Sequence, residues 1–127
     1  MEEDRSSVIE LAGKTYELLL TTRATKEIAK RYGGLSALGD KLLQEENFEL
    51  ALDEIIWLIT LLANQPIYIH NLRNPNDVQV PLTEEYLELL TTPVDLAGYR
   101  GAIMEALVKG TQRNILSEED AKNAVAP

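Results

Sequence analysis

One histidine, no cysteine and a surplus of carboxylates bound the chemistry open to this 127-residue chain. A catalytic relay needs an imidazole between a nucleophile and an orienting acid. Nothing around His70 supplies that pair, and it reads as a partly exposed side chain near a helix end. With one imidazole and no thiolate, a metal would have to rely on carboxylates and carbonyls. Asp53 and Glu54 are adjacent, and neighbours on a helix point in different directions. They suit the positive end of a helix dipole better than acid–base work. Gly33-Gly34 has neither the lysine nor the glycine spacing of a phosphate loop, and it follows a helix instead of a strand. No residue is assigned to catalysis, to a cofactor or to a metal, and an enzyme is the weakest reading.

Binding is better represented. Arg23, Lys26, Lys30 and Arg31 place four of the chain's twelve Lys and Arg within nine positions. Such a stripe is either a solvated helix face, with Lys30 and Arg31 helping the C-terminal dipole, or a dock for an acidic or helical partner. The net charge of −9 disfavours nucleic acid and anionic membranes as partners. A second set of candidates is apolar: Leu19 on the outer face of a hairpin, Trp57 or Leu61 on the second face of a helix, and Ile67 or Tyr68 beyond it. By default each is ordinary core or scattered surface. As function, together they would line a groove for a helix.

The element that positions these residues is Asn47 to Asn64, NFELALDEIIWLITLLAN. Phe48, Ala51, Leu52, Ile55, Ile56, Ile59 and Leu62 repeat at helical spacing. Trp57, Leu58 and Leu61 make the opposite face apolar as well, so this helix needs cover on every side. It is too short for a bilayer, which takes about 20 apolar residues. Asn47 is a good N-cap. Before it, Val8 to Leu20 reads as a hairpin turning at Ala12-Gly13, a weak turn because alanine resists positive φ. Thr21-Thr22 caps a helix from Arg23 to Tyr32, with Ala24, Ile28, Ala29 and Tyr32 inward, and Gly33-Gly34 stops it. A helix over 35–43 follows, with Leu35, Leu38, Leu42 and Leu43 inward. Gln65-Pro66 interrupts or restarts the central helix, and the reading favours continuation to about Leu72. Arg73 to Pro81 is an exposed loop. Thr83 caps a helix over 83–90 carrying Leu87, Leu89 and Leu90. Thr92-Pro93-Val94-Asp95 starts the last helix sharply.

That helix is expected to stop at Gly110, with Leu96, Tyr99, Ile103, Ala106 and Leu107 inward and Gly98 and Gly101 permitting a close neighbour. The expected fold class is α+β, mostly α: an N-terminal β-hairpin packed on a small bundle of about five helices around the central apolar helix. Residues 1–6 are expected to be a flexible acidic start, 7–110 a single domain, and 111–127 a polar mobile tail in which Ser117 to Asp120 nucleates at most one turn. MEEDRSS has no apolar signal core, so export is not expected.

IELAGKTYELLLTTRATKEIAKRYGGLSALGDKL, then ALDEIIWLITLLANQ and LLTTPVDLAGYRGAIMEALVKG, give the chain a resemblance to tail assembly chaperones of tailed phages and prophages of Gram-positive bacteria. The resemblance covers roughly residues 7 to 113. Its most distinctive part is the hairpin with Thr22-Arg23-Ala24 through Arg31-Tyr32-Gly33-Gly34. It implies a non-enzymatic factor in the bacterial host cytoplasm that engages the tape measure protein, keeps it soluble and helps recruit tail tube subunits. In many such phages a frameshift appends a second domain to some copies, and this chain would match the short product. A second class of reading is a small acidic regulator or inhibitor, antitoxin-like or a DNA mimic, which would need carboxylates concentrated on one exposed face; Glu84, Glu85 and Glu88 cluster, while the rest are dispersed. If the Trp57 face is uncovered in the monomer, a homo-oligomer is the expected remedy.

Overall fold

The computed structural model describes residues 6–43 and 48–125, with side chains described for 6–41 and 52–111. Two strands, β1 (Ser6–Leu11) and β2 (Lys14–Leu19), precede five helices: α1 (Thr22–Tyr32), α2 (Leu35–Leu43), α3 (Phe48–Arg73), α4 (Glu84–Leu90) and α5 (Pro93–Val125). The class is α+β, mostly α. The expected Asn47 cap, the inward set of Leu42, Leu43, Phe48 and Ala51, residues 1–5 of the expected flexible start over 1–6 and the side chains of Ser117 to Asp120 lie outside the described residues. Ser6, the last of that expected start, is the first residue of β1.

The hairpin pairs Leu11 with Lys14 and Ser6 with Leu19, so its loop is the two residues Ala12 and Gly13. Both have positive φ, +52° and +80°, the signature of the mirror-image turn whose twist matches the strands. β2 lies on α3 and β1 on α5. Three side chains fasten the outer edge of β1 to α5. The Ser7 hydroxyl donates to the Ala102 carbonyl at 2.6 Å, Tyr99 to Glu10 at 2.6 Å and Lys109 to Ser6 at 3.1 Å. Ile9, Leu11 and Leu18 fill the inner face of the hairpin. Leu19, expected on the outer face, is 7% exposed; the hairpin is covered near its end on that face too.

Helix ends follow their local chemistry. The Thr21 hydroxyl accepts from Ala24 N–H at 3.1 Å, and Gly33 closes α1 with its N–H on Ala29 at 2.9 Å. Thr83 accepts from Tyr86 N–H at 3.1 Å. Thr92 and Asp95 form a reciprocal capping box, Thr92 N–H to the Asp95 carboxylate at 2.9 Å and Asp95 N–H to the Thr92 hydroxyl at 3.2 Å.

Ile55, Leu58, Ile59 and Leu62 of α3 are essentially inaccessible and meet Leu18, Ile28, Leu38, Leu87 and Ile103 in one core. α3 passes through Pro66 to Arg73 without a break, because one missing donor is tolerated where the flanking turns are already packed. Ala29, expected inward, is exposed, as are Leu89 and Leu90; short helices bury only a narrow stripe.

Two expectations about glycine are corrected. Gly110 does not end the last helix, which continues to Val125. Gly110 is buried instead, and a Cβ there would sit 2.8 Å from both Cβ and Cδ2 of Leu20. Gly98 and Gly101 face open space. The close approach exists, but at Gly110 and against the chain after β2.

Candidate functional site

The basic residues of α1 part into two groups once the helix is placed. Arg31 turns toward α3, where its guanidinium stacks 4.5 Å from the centre of the Trp57 ring and lies 3.3 Å from the Glu54 carboxylate. Glu54 is 8% exposed, and a carboxylate so covered needs its oxygens occupied. The Tyr32 hydroxyl donates to the other Glu54 oxygen. Tyr32 meets Trp57 edge to face at 5.9 Å. Burial first, then the bond to Glu54 and its charge, push the Tyr32 hydroxyl pKa well above the ordinary value. Arg31 and Trp57 are therefore engaged in joining α1 to α3. Lys30 pairs with Glu27 at 3.4 Å on the surface, and Lys26 is exposed.

Arg23 goes the other way. Its guanidinium lies 5.6 Å from the centre of the Tyr68 ring, at the rim of a groove of about 470 Å³ lined by Thr21, Arg23, Gln65, Tyr68, Ile69, Asn71 and Leu72. The groove runs between the start of α1 and the C-terminal half of α3. Its polar wall is internally committed. Thr21 donates to Gln65 Oε1 at 2.5 Å, and Gln65 Nε2 donates to the Leu61 carbonyl at 2.9 Å. Leu72 is 83% exposed.

Asn71 also anchors the segment after α3. Its Nδ2 donates to the Gln79 carbonyl at 2.9 Å and its Oδ1 accepts from Gln79 N–H at 2.7 Å. Two helical turns earlier, Asn64 does the same for Leu82, at 2.9 Å and 2.7 Å, in a buried setting. Each amide thus imitates a neighbouring strand, satisfying one residue's donor and acceptor at once. His70 adds a bond to the Asp77 carbonyl at 2.8 Å and lies 3.3 Å from the Asp77 carboxylate. The expected loop over 73–81 is thereby a strap held along α3, tied to the lining residue Asn71 through Gln79 and carrying the exposed side chains Val78 and Val80.

Of the residues singled out from the sequence, Arg23 and Tyr68 come together in this groove. Arg31 and Trp57 meet in the separate cluster with Glu54. Ile67 and Leu61 are half-buried, Leu61 packing on the core. Ile69, Leu72, Gln65 and Asn71 were not singled out as site residues. The signal available for them is spacing: Gln65, Ile69 and Leu72 repeat at helical intervals, and Asn64 and Asn71 are seven apart. Among the described residues no group of three His, Cys, Asp or Glu is placed to hold a metal ion, and no helix is long and apolar enough to cross a membrane. Comparison with protein-family models, curated proteins and solved structures finds no match to this chain.

Proposed function

We propose that this chain is a non-enzymatic phage tail assembly chaperone that works in the bacterial host cytoplasm. It covers the apolar face of a tape measure protein, keeps that protein soluble and helps recruit tail tube subunits. The observation that supports this reading is exposed apolar side chains on the C-terminal half of α3 and the strap after it, on an acidic molecule. Tyr68 and Leu72 are exposed at the groove, and Val78 and Val80 are exposed on the strap that Asn71 of its lining anchors, on a chain of net charge −9. Exposed apolar side chains that adjoin a groove mark interaction sites. The surrounding negative charge would keep a complex dispersed after a greasy partner is bound. The resemblance of the hairpin, basic helix and Gly-Gly order to that family supplies the identity of the partner.

Co-expression provides the test. Co-expressed with a long, helix-rich tape measure protein, the chain should raise the soluble yield of that protein and co-purify with it. Equal insolubility with and without the chain, at matched expression, would reject the reading.

A further inference from the structure

We propose that the groove beside Tyr68 and Leu72 seats one apolar side chain of an amphipathic partner helix, while Arg23 pairs with a carboxylate about one turn away on that helix. The inference rests on the protein-binding reading above and adds the place and chemistry of contact.

The groove's own hydrogen bonds decide what kind of occupant fits. Thr21 and Gln65 are bonded to each other, and Gln65 also to the Leu61 carbonyl. Both ends of the Asn71 amide are taken by Gln79. Away from Arg23, a polar small molecule would find the Thr21, Gln65 and Asn71 anchors already committed, and binding it there would require breaking those bonds. An apolar side chain requires no such exchange. It meets the Tyr68 ring, Ile69 and Leu72, of which Leu72 is almost fully in water.

Among the described residues of the groove lining, Arg23 is the one that carries a fixed charge. A guanidinium stacked on an aromatic face keeps its in-plane N–H donors for a carboxylate. In a chain of net charge −9, an arginine held on a tyrosine at the rim of an apolar groove selects an acid beside the anchor. The partner is a helix because Tyr68 and Leu72, four apart on α3, form a ridge of the kind that packs against a second helix. A second copy of this chain would bring net negative charge toward a predominantly negative surface.

The experiment compares the wild-type chain with Leu72→Asp and Arg23→Glu, each co-expressed with the tape measure protein and checked for folding by circular dichroism and melting. Wild type should capture the tape measure protein. Leu72→Asp should reduce capture by about tenfold or more, as expected for a lost anchor. Arg23→Glu should reduce it severalfold at low salt, with the gap to wild type narrowing at high salt. Folded variants that capture as well as wild type would overturn the groove assignment and leave the chaperone reading standing. A wild-type chain that captures nothing would reject both. A wild-type chain that self-associates alone, with Leu72→Asp restoring the monomer in sedimentation, would reassign the groove to an interface between copies.

Discussion

Ala12 stands at φ +52° in a two-residue turn, a conformation that costs an L-residue with a β-carbon about 1 kcal/mol. Asparagine accepts it more readily. Ala12→Asn should therefore raise the urea midpoint, worth about 0.5–1 kcal/mol, with the slope unchanged. The three helical glycines of α5 make a sharper contrast. Gly98 and Gly101 face open space, so alanine at Gly101 should stabilise by up to about 1 kcal/mol through helix propensity alone. At Gly110 the same change drives a methyl into Leu20, and part of the clash is with Leu20 Cβ, which no rotamer can move. Overpacking of this kind costs about 1–3 kcal/mol and outweighs the propensity gain. Opposite shifts in melting temperature for Gly101→Ala and Gly110→Ala are the expected result. Equal stabilisation would mean that the contact with Leu20 relaxes.

Among the elements, the strap after α3 depends most on a few side chains. Asn64 and Asn71 stand two turns apart on one helix and each pairs with both backbone groups of one strap residue. Their surroundings differ, and so should their effects. The Asn64 pair is buried, so Asn64→Ala strands the Leu82 N–H and carbonyl away from water and should cost about 2–3 kcal/mol. The Asn71 pair is exposed; water replaces it, and global stability should fall by less than about 1 kcal/mol. Its loss should appear locally, as faster hydrogen exchange at the Gln79 amide with Leu82 still protected. If Asn71→Ala leaves Gln79 exchange unchanged, the amide does not hold the strap.

On the scale of the whole molecule, three tyrosines tie stability to alkaline pH. The hydroxyls of Tyr16, Tyr32 and Tyr99 all have raised pKa values, in each case by burial first. Tyr86 adds to this for Tyr16, Glu54 for Tyr32, and Asp95 and Glu10 for Tyr99. Below about pH 9 each is protonated in both the folded and the unfolded chain, and their contribution is fully present. Above about pH 10 the unfolded chain loses these protons first, so stability falls as pH rises. The slope per tyrosine is at most about 1.4 kcal/mol per pH unit. Urea midpoints at about pH 8, 10 and 11 should decline across the last two, and Tyr32→Phe should flatten that decline. An equal slope in the variant would show that Tyr32 ionises as freely in the folded chain as in the unfolded one.

Much of this architecture is a local matter and therefore legible in the residues alone. The caps at Thr21, Thr83 and Thr92, the stop at Gly33 and the all-round apolar run of α3 each depend on a few neighbouring positions. What only tertiary packing decided are relations between distant residues. The sequence marks Arg23 and Arg31 as one stripe, but the position of α3 sends Arg31 to Glu54 and Trp57 and leaves Arg23 on Tyr68 at a groove. It marks Gly110 as a helix stop, whereas the path of the chain after β2 makes that glycine a contact with Leu20. Spacing along a chain specifies periodicity and caps; which face meets which neighbour depends on separations of 22 to 103 residues across the fold.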